Sequence, residues 1–425
     1  MPSVLSFLAL ASAASAAAVP MAHIEPRQIA GLSGGLGALA GLFGFGKGSA
    51  AKPATVSALP PLLIPTAKRE IIRWGPYTLP AANAKHTGFS LDPGGTPISG
   101  QLAGLCSDCY FLSGSTYVTY ANGSRADIAS GVYNHHVFVG GMGIQALNPF
   151  GCTPGAKPTV TKDGVPITLP ADNGIMGMLG MFGAKGGAAP AAMAGGHSHG
   201  ARSVEQAKPP KSGGFGQIFG SGDDGVAMTY ASRDQSLLKA GLYIPPNVTV
   251  MHTTELVNYK NESQVVYITA DVEYVPGKPE GYKDASSGAM SATGCAGVGY
   301  MPPANAKSTM TSPPYIVKMD GWIYNIHAHL HDGGINVRVL KNGQEVCDSK
   351  AVYGGKGSTT VVGGKEWATI QDYEFCYKPI EIKVGDKVQL ESNYDLVAHP
   401  LRPGAQDHSM GAEAMGMVGY AFAAK

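Results

Sequence analysis

Charge is scarce in this chain, and neither sign prevails. Lys and Arg number 31, Asp and Glu 30, and charged residues make up 14% of the 425 positions, against about a quarter in an average soluble protein. A surface that gathers nucleic acid or anionic lipid needs an excess of positive field. No basic patch interleaved with aromatics occurs either, so no nucleic-acid partner is expected. The apolar run at the amino end, Val4-Leu5-Ser6-Phe7-Leu8-Ala9-Leu10, is too short to cross a bilayer, and no membrane partner is expected. A second Cys-x-x-Cys is also missing. Cys106-Ser107-Asp108-Cys109 is therefore read as a disulfide pair before a zinc or redox motif.

The amino end reads as a secretory signal over residues 1–18. Its apolar run leads into small residues ending near Ala16-Ala17-Ala18, although no strongly basic stretch precedes it. Six cysteines in an exported chain imply up to three disulfides. Cys347 with Cys376 is the favoured local pair, because the two bracket a plausible β excursion. Three sequons begin at Asn122, Asn247 and Asn261 and are candidate glycosylation sites. These features predict a secreted, extracellular protein. Residues 19–69 read as a pro-segment or disordered leader: 28–50 are rich in Gly, Ala and Leu, 51–67 in Pro and Ala, and the dibasic Lys68-Arg69 offers a processing site.

From Glu70 onward, short β-branched and aromatic runs alternate with Gly, Pro, Asn and Asp turns. Tyr117-Val118-Thr119-Tyr120, Val265-Val266-Tyr267-Ile268 and Ile380-Glu381-Ile382-Lys383-Val384 are examples, and Asn342-Gly343 carries a hairpin signal. The texture predicts an all-β protein of one or two β-sandwiches. Residues 174–225, rich in Gly, Ala and Met, read as a mobile low-complexity insertion in the first β domain. His197 and His199 within it are read as solvated rather than metal-binding.

Metal chemistry is the first functional hypothesis. In Ile326-His327-Ala328-His329-Leu330-His331 the side chains alternate faces on a strand, so His327 and His329 project together. His331 continues the alternation, but Asp332-Gly333-Gly334 predicts that the strand is turning there. His135 and His136 are adjacent, and a regular strand would send them to opposite faces. One metal can take both only at a strand end or bulge. Met415 is a candidate thioether ligand, which would favour Cu(I) over zinc, with Met410 and Met417 as rivals.

The order His-His, His-x-His, Met resembles that of the copper type II, ascorbate-dependent monooxygenases. The likeness is sharpest from Trp322 to His329 and on through Val339-Leu340-Lys341-Asn342-Gly343-Gln344-Glu345. The chain is also similar to the stress up-regulated nodulin-19-like proteins. The resemblance implies two jelly-roll-like β-sandwich domains, over 70–282 and 283–425, with a copper on each. His327, His329 and Met415 would hold an oxygen-activating copper, and His135 and His136 an electron-supplying one. The chain departs from the pattern at Glu273, which stands where a third histidine of the first-domain site is expected. A carboxylate suits Cu(I) poorly, and His252 is the possible substitute.

The function expected on this basis is secreted, copper-dependent hydroxylation of a C–H bond in a small-molecule or peptide substrate, using O₂ and an ascorbate-like reductant. The alternative is a non-catalytic copper-binding or stress-related protein on the same scaffold. A zinc hydrolase using His327 and His329 with Asp332 or Glu273 ranks third.

Overall fold

The computed structural model describes residues 49–85, 94–153, 156–168, 215–296, 299–362, 364–404 and 413–425. The expected signal peptide, His197, His199 and Met410 lie outside them. Among the described residues the regular elements are β-strands, with only two short 3₁₀ turns, Ile128–Ser130 and Gly294–Ala296. The all-β expectation holds.

Three sheets carry the structure. A four-stranded sheet runs Gly95–Leu102, Thr249–Asn258, Val132–Met142, Phe215–Ser221. An 11-stranded sheet includes Lys68–Leu79, Gln264–Pro276, Cys109–Thr119, Ala240–Ile244, Lys283–Ser291, Ala414–Ala424 and Gly321–Leu330, in that order. A nine-stranded sheet is centred on Gly334–Lys341 and Lys387–Asp395. One core lies where the four-stranded sheet meets one end of the long sheet, with Val137, Val139, Ile218 and Phe219 packed with Ile72, Trp74, Phe111 and Ile268. A second core lies between the other end of the long sheet and the nine-stranded one, joining Ile326, Ala328, Val418 and Phe422 to Val337, Val339 and Leu390. The long sheet passes from one core to the other through the parallel pairing of Ala240–Gly241 with Lys283–Asp284.

Two irregularities set the phase of the strands that bear histidines. In Gly321–Leu330, Tyr324 lies opposite Ala421 but His327 opposite Gly419, so one extra residue is inserted. Asn325 takes up the insertion at φ 51°, a left-handed conformation that Asn tolerates better than most residues. Its amide donates to the carbonyls of Thr229 and Ala231, each at 2.9 Å. Before the bulge Ile323 faces the second core; after it Ile326, Ala328 and Leu330 do, which turns His327 and His329 to the opposite face. In Val132–Met142, Glu255 lies opposite His136 and Leu256 opposite Asn134, leaving His135 as the extra residue.

Two stretches differ from their sequence reading. Residues 49–69 are ordered: Thr55–Leu59 pairs with Arg69–Arg73, and Arg69 makes a bidentate ion pair with Asp271. Residues 215–225 are also ordered, and the fully buried Ile218 and Phe219 anchor the edge strand of the four-stranded sheet. Apolar residues among the glycines supply the buried surface of this strand. The disulfides are Cys106–Cys109, Cys152–Cys295 and Cys347–Cys376, so all six cysteines are paired.

Candidate metal centre

The two bulged strands bring four imidazoles together. Ring centroids are 4.2 Å apart for His135 and His136, 5.1 Å for His135 and His331, 5.3 Å for His136 and His329, and 5.6 Å for His329 and His331. Donor atoms of His135, His136 and His331 all lie within 4.8 Å of one another. The Nε2 atoms of His136 and His329 are 3.3 Å apart. Adjacent nitrogen ligands at about 2.05 Å from a tetrahedral metal are about 3.3 Å apart, so this pair has the edge length of a coordination shell.

The opposite edge of two of these rings is held by a hydrogen-bond acceptor, and a carboxylate stands near that of a third. His135 Nδ1 lies 3.1 Å from Glu255 Oε2, His331 Nδ1 2.7 Å from the carbonyl of Glu413, and His329 Nδ1 3.7 Å from Asp224 Oδ2. An acceptor at Nδ1 fixes the tautomer that leaves a lone pair on Nε2, as the outer shell of metal-bound histidines does. His135 Nε2, His331 Nε2 and Glu413 Oε1 are buried without a hydrogen-bond partner, although His135 Nε2 and Glu413 Oε1 stand 3.2 Å apart. Buried polar atoms in that state cost stability unless something satisfies them. A metal ion fits the donor set, which is rich in borderline imidazole nitrogen with one carboxylate.

The electrostatics divide the rings. Burial, together with the neighbouring histidines, pushes His136 well below the ordinary imidazole range. Burial likewise brings His331 down to about 4, against the pull of Glu413. Both rings are therefore neutral at physiological pH. Burial also acts to lower His135, but Glu255 and Glu413 outweigh it and raise the ring to about 9. Burial would raise Glu413, yet His135, His331 and the buried Arg402 hold it well below the usual carboxylate range. Asp223 and Asp332 are pushed up to about 8 and about 7, chiefly by burial.

The remaining expected ligands are placed as follows. His327 stacks on Phe375 at 4.8 Å, and its ring lies against Gly419, where a Cβ would come within 2.9 Å of it. His327 thus shares the face of His329 but stands one step along the strand from the imidazole cluster. Met415 is 3% exposed and pairs with Gly299. Alternation puts it on the histidine-bearing face with Met417, which lies directly opposite His329.

Glu273 is not part of the cluster. Its carboxylate accepts the backbone N–H groups of Leu62, Leu63 and Ile64 at 2.8, 2.8 and 3.2 Å, capping the ordered leader. His252 also stands apart: its Nδ1 is 3.0 Å from Thr254 Oγ1, its ring faces Tyr77, and burial lowers it to about 4. His135–His136 and the 327–331 run, expected on separate coppers, meet in one place. His331, Glu413 and the Glu255 support were missed from sequence. The His-x-His-x-His spacing was the available signal for His331, while the carboxylates come from strands remote in the chain.

The fold and the cluster together define an all-β protein with a candidate metal centre built mainly from imidazoles. Residues 303–404 match the family model Stress up-regulated Nod 19. Two curated fungal proteins are similar. The probable copper-dependent oxygenase clz3 of Cochliobolus lunatus is 25% identical over 183 residues, 43% of this chain and 57% of that protein. The probable copper-dependent oxygenase M1 of a Phoma species is 21% identical over 328 residues, 77% of this chain and 66% of that protein. The aligned part of the chain spans less than two thirds of either relative's length. A solved peptide-N(4)-(N-acetyl-β-D-glucosaminyl) asparagine amidase covers 78% of this chain and 96% of its own at 10% identity, with a TM-score of 0.25, a likeness too slight to bear on function.

Proposed function

We propose that this is an exported copper-dependent oxygenase that hydroxylates a C–H bond of a small-molecule or peptide substrate. The observation that carries the reading is the convergence of His135, His136, His329 and His331, two of them with Nδ1 on a hydrogen-bond acceptor and a third with Nδ1 near a carboxylate. The activity named for the two fungal relatives supplies the choice of copper. His135, His136 and His331 would hold the ion, with His329, beside His136, and Glu413, beside His135, completing the shell and Met415 or Met417 offering a thioether. Copper bound there supplies one-electron redox chemistry and O₂ activation. The overall balance is substrate C–H plus O₂, two electrons and two protons giving C–OH and water, with the electrons drawn from an external reductant of the ascorbate class.

The chain's own residues do the rest. Burial of His135, His136 and His331 keeps bulk water from the ion, while the His329 side chain, 24% exposed, marks the side from which substrate arrives. Asp224 and Glu255 orient the rings. The three disulfides and the exposed asparagines of all three sequons support export and glycosylation at Asn122, Asn247 and Asn261.

A second reading, a copper-binding protein without catalysis, is favoured by the small size of the cavity beside the cluster, about 10 Å³, room for roughly one water-sized body. Copper titration followed by oxygen uptake with ascorbate and a substrate panel separates the two. Hydroxylation predicts one tightly held copper at the cluster, uptake above the rate of ascorbate oxidation by free copper, and loss of both in His329→Ala. Tight copper with uptake at background selects the binding protein. Zinc recovered in place of copper from metal-replete preparations overturns both.

A further inference from the structure

His327, which stands outside the imidazole cluster, ends a stack of planar groups that reaches the surface. Its ring lies 4.8 Å from that of Phe375, 27° from parallel. Phe375 in turn lies 5.2 Å from Tyr377 at 7°, and both spacings are those of stacked rings. The Arg233 guanidinium closes the outer end, 3.2 Å from the centre of the Tyr377 ring. The three rings are half-buried and Arg233 is exposed.

One stretch of strand holds every part of this stack. Phe375 and Tyr377 flank Cys376, so alternation puts them on one side. Cys376 exchanges two backbone hydrogen bonds with Ile326, at 3.0 and 2.9 Å, and is bonded to Cys347. Tyr324 donates to the Tyr230 carbonyl at 2.8 Å, and Asn325 to those of Thr229 and Ala231, which fixes the loop that carries Arg233. His327 Nδ1 is 3.2 Å from the Asn325 carbonyl. At its inner end the stack meets the centre: His327 shares a strand face with His329, and the charge of Asp224 acts on both rings.

The outer end has an unused edge. Among the described residues Arg233 has no ion pair or hydrogen bond, only the Tyr377 ring. Asp234, next in the chain, is committed to its own turn, its Oδ1 accepting from Ser236 and Leu237. A guanidinium over an aromatic face keeps its N–H donors free for an oxyanion.

We infer that Arg233 and Tyr377 dock a small oxyanion reductant, and that the Tyr377–Phe375–His327 stack is the path of its electrons to the imidazole centre. This rests on the oxygenase reading, whose balance requires two electrons from outside. An enediol monoanion, the chemistry of ascorbate, loses one electron to the centre and one proton to water and leaves as a radical anion. Two such encounters supply the pair. Phe375 is a bridge in contact with both neighbours and is not itself oxidised.

The test follows reduction of the copper-loaded full chain by ascorbate, without oxygen or substrate, as bleaching of the Cu(II) resonance. Ascorbate docking to the metal-free chain is read separately by saturation-transfer NMR. Arg233→Gln should weaken docking at least fivefold and slow reduction by dilute ascorbate to match, while reduction by neutral hydroquinone is unchanged. Phe375→Leu should leave docking as it is and slow the saturated reduction rate at least tenfold. Copper stoichiometry should match the wild type in both. Should Phe375→Leu fail to fold, Phe375→Met removes the ring at similar volume. Docking and reduction at wild-type levels in Arg233→Gln overturn the inference, as does a wild-type saturated rate without the Phe375 ring. A loss confined to substrate KM would make Arg233 a substrate contact and overturn it too. A chain that binds no copper at the histidines sinks the oxygenase reading, and docking to the metal-free chain still decides whether Arg233 holds the anion.

Discussion

His135 sits between Glu255 and Glu413, and what occupies the centre decides its protonation. Without metal its folded pKa, about 9, lies above the unfolded value of about 6.5. The ring therefore adds stability that is fully present below about pH 6.5 and is lost as pH rises through about 9, on the order of 3 kcal/mol. Denaturant midpoints of chelator-stripped protein should fall across that window, and Glu255→Gln should flatten the fall. Metal affinity should move oppositely, because binding at His135 Nε2 releases a proton. A copper Kd indifferent to pH between 6.5 and 9 would remove His135 from the ligand set. His331→Ala should weaken copper binding about 100-fold or more, while Glu255→Gln, which acts through His135, should weaken it about 10–100-fold. Equal losses, read by competition with a chromogenic chelator, would contradict that ranking. Glu273 shows the opposite case: a residue aligned by sequence with a ligand position, yet held by three backbone N–H groups far from any imidazole. Partners such as Leu62–Ile64, about 210 positions away, leave no mark beside Glu273 in the chain.

At the level of the strand, the bulges carry the function. Alternation correctly put His327 and His329 on one face, and the need for an irregularity at His135–His136 was legible because adjacent imidazoles cannot otherwise converge. The position of the second bulge was not legible. Asn325 sits inside a run of strand formers, and the reason for its left-handed backbone is the pair of carbonyls at Thr229 and Ala231, contributed by a segment remote in the chain. Asn325→Ala removes both hydrogen bonds and leaves a β-carbon at φ 51°, a loss of about 2–4 kcal/mol. Asn325→Gly keeps the conformation and should lose less. Deleting a residue at 325–326 should do more than destabilise: it would turn His327 and His329 toward the apolar core and abolish copper binding even in a folded protein. Urea melts paired with copper stoichiometry check this. A deletion variant that binds copper normally would mean that the bulge does not set the histidine phase.

Across the whole molecule, the centre joins strands of different sheets. His135 and His136 come from the four-stranded sheet, His329 from the long sheet, and His331 from just past its end. The sequence revealed both histidine groups, and the resemblance to the copper type II monooxygenases assigned them to separate coppers. What overrode it is the packing of the four-stranded sheet against the long one, which brings His136 Nε2 within 3.3 Å of His329 Nε2. A metal at this junction acts as a cross-link between elements roughly 190 positions apart in the chain, so its loss should be felt globally. Held at about 1,000 times its Kd, copper adds about 4 kcal/mol to the folded state. For a unit of this size that corresponds to a Tm rise on the order of 5–10 °C, since about 1 kcal/mol moves larger domains by roughly 2–4 °C or less. Two ions on separate sites would each contribute half of the stepwise gain, and metal at one site would leave the other group's variants without thermal effect. Calorimetry of His136→Ala and His329→Ala, each alone and combined, with and without copper, distinguishes the arrangements. A shared ion predicts that either single variant removes nearly the whole copper-induced shift and that the double variant removes no more. Additive losses would return the chain to two separate coppers.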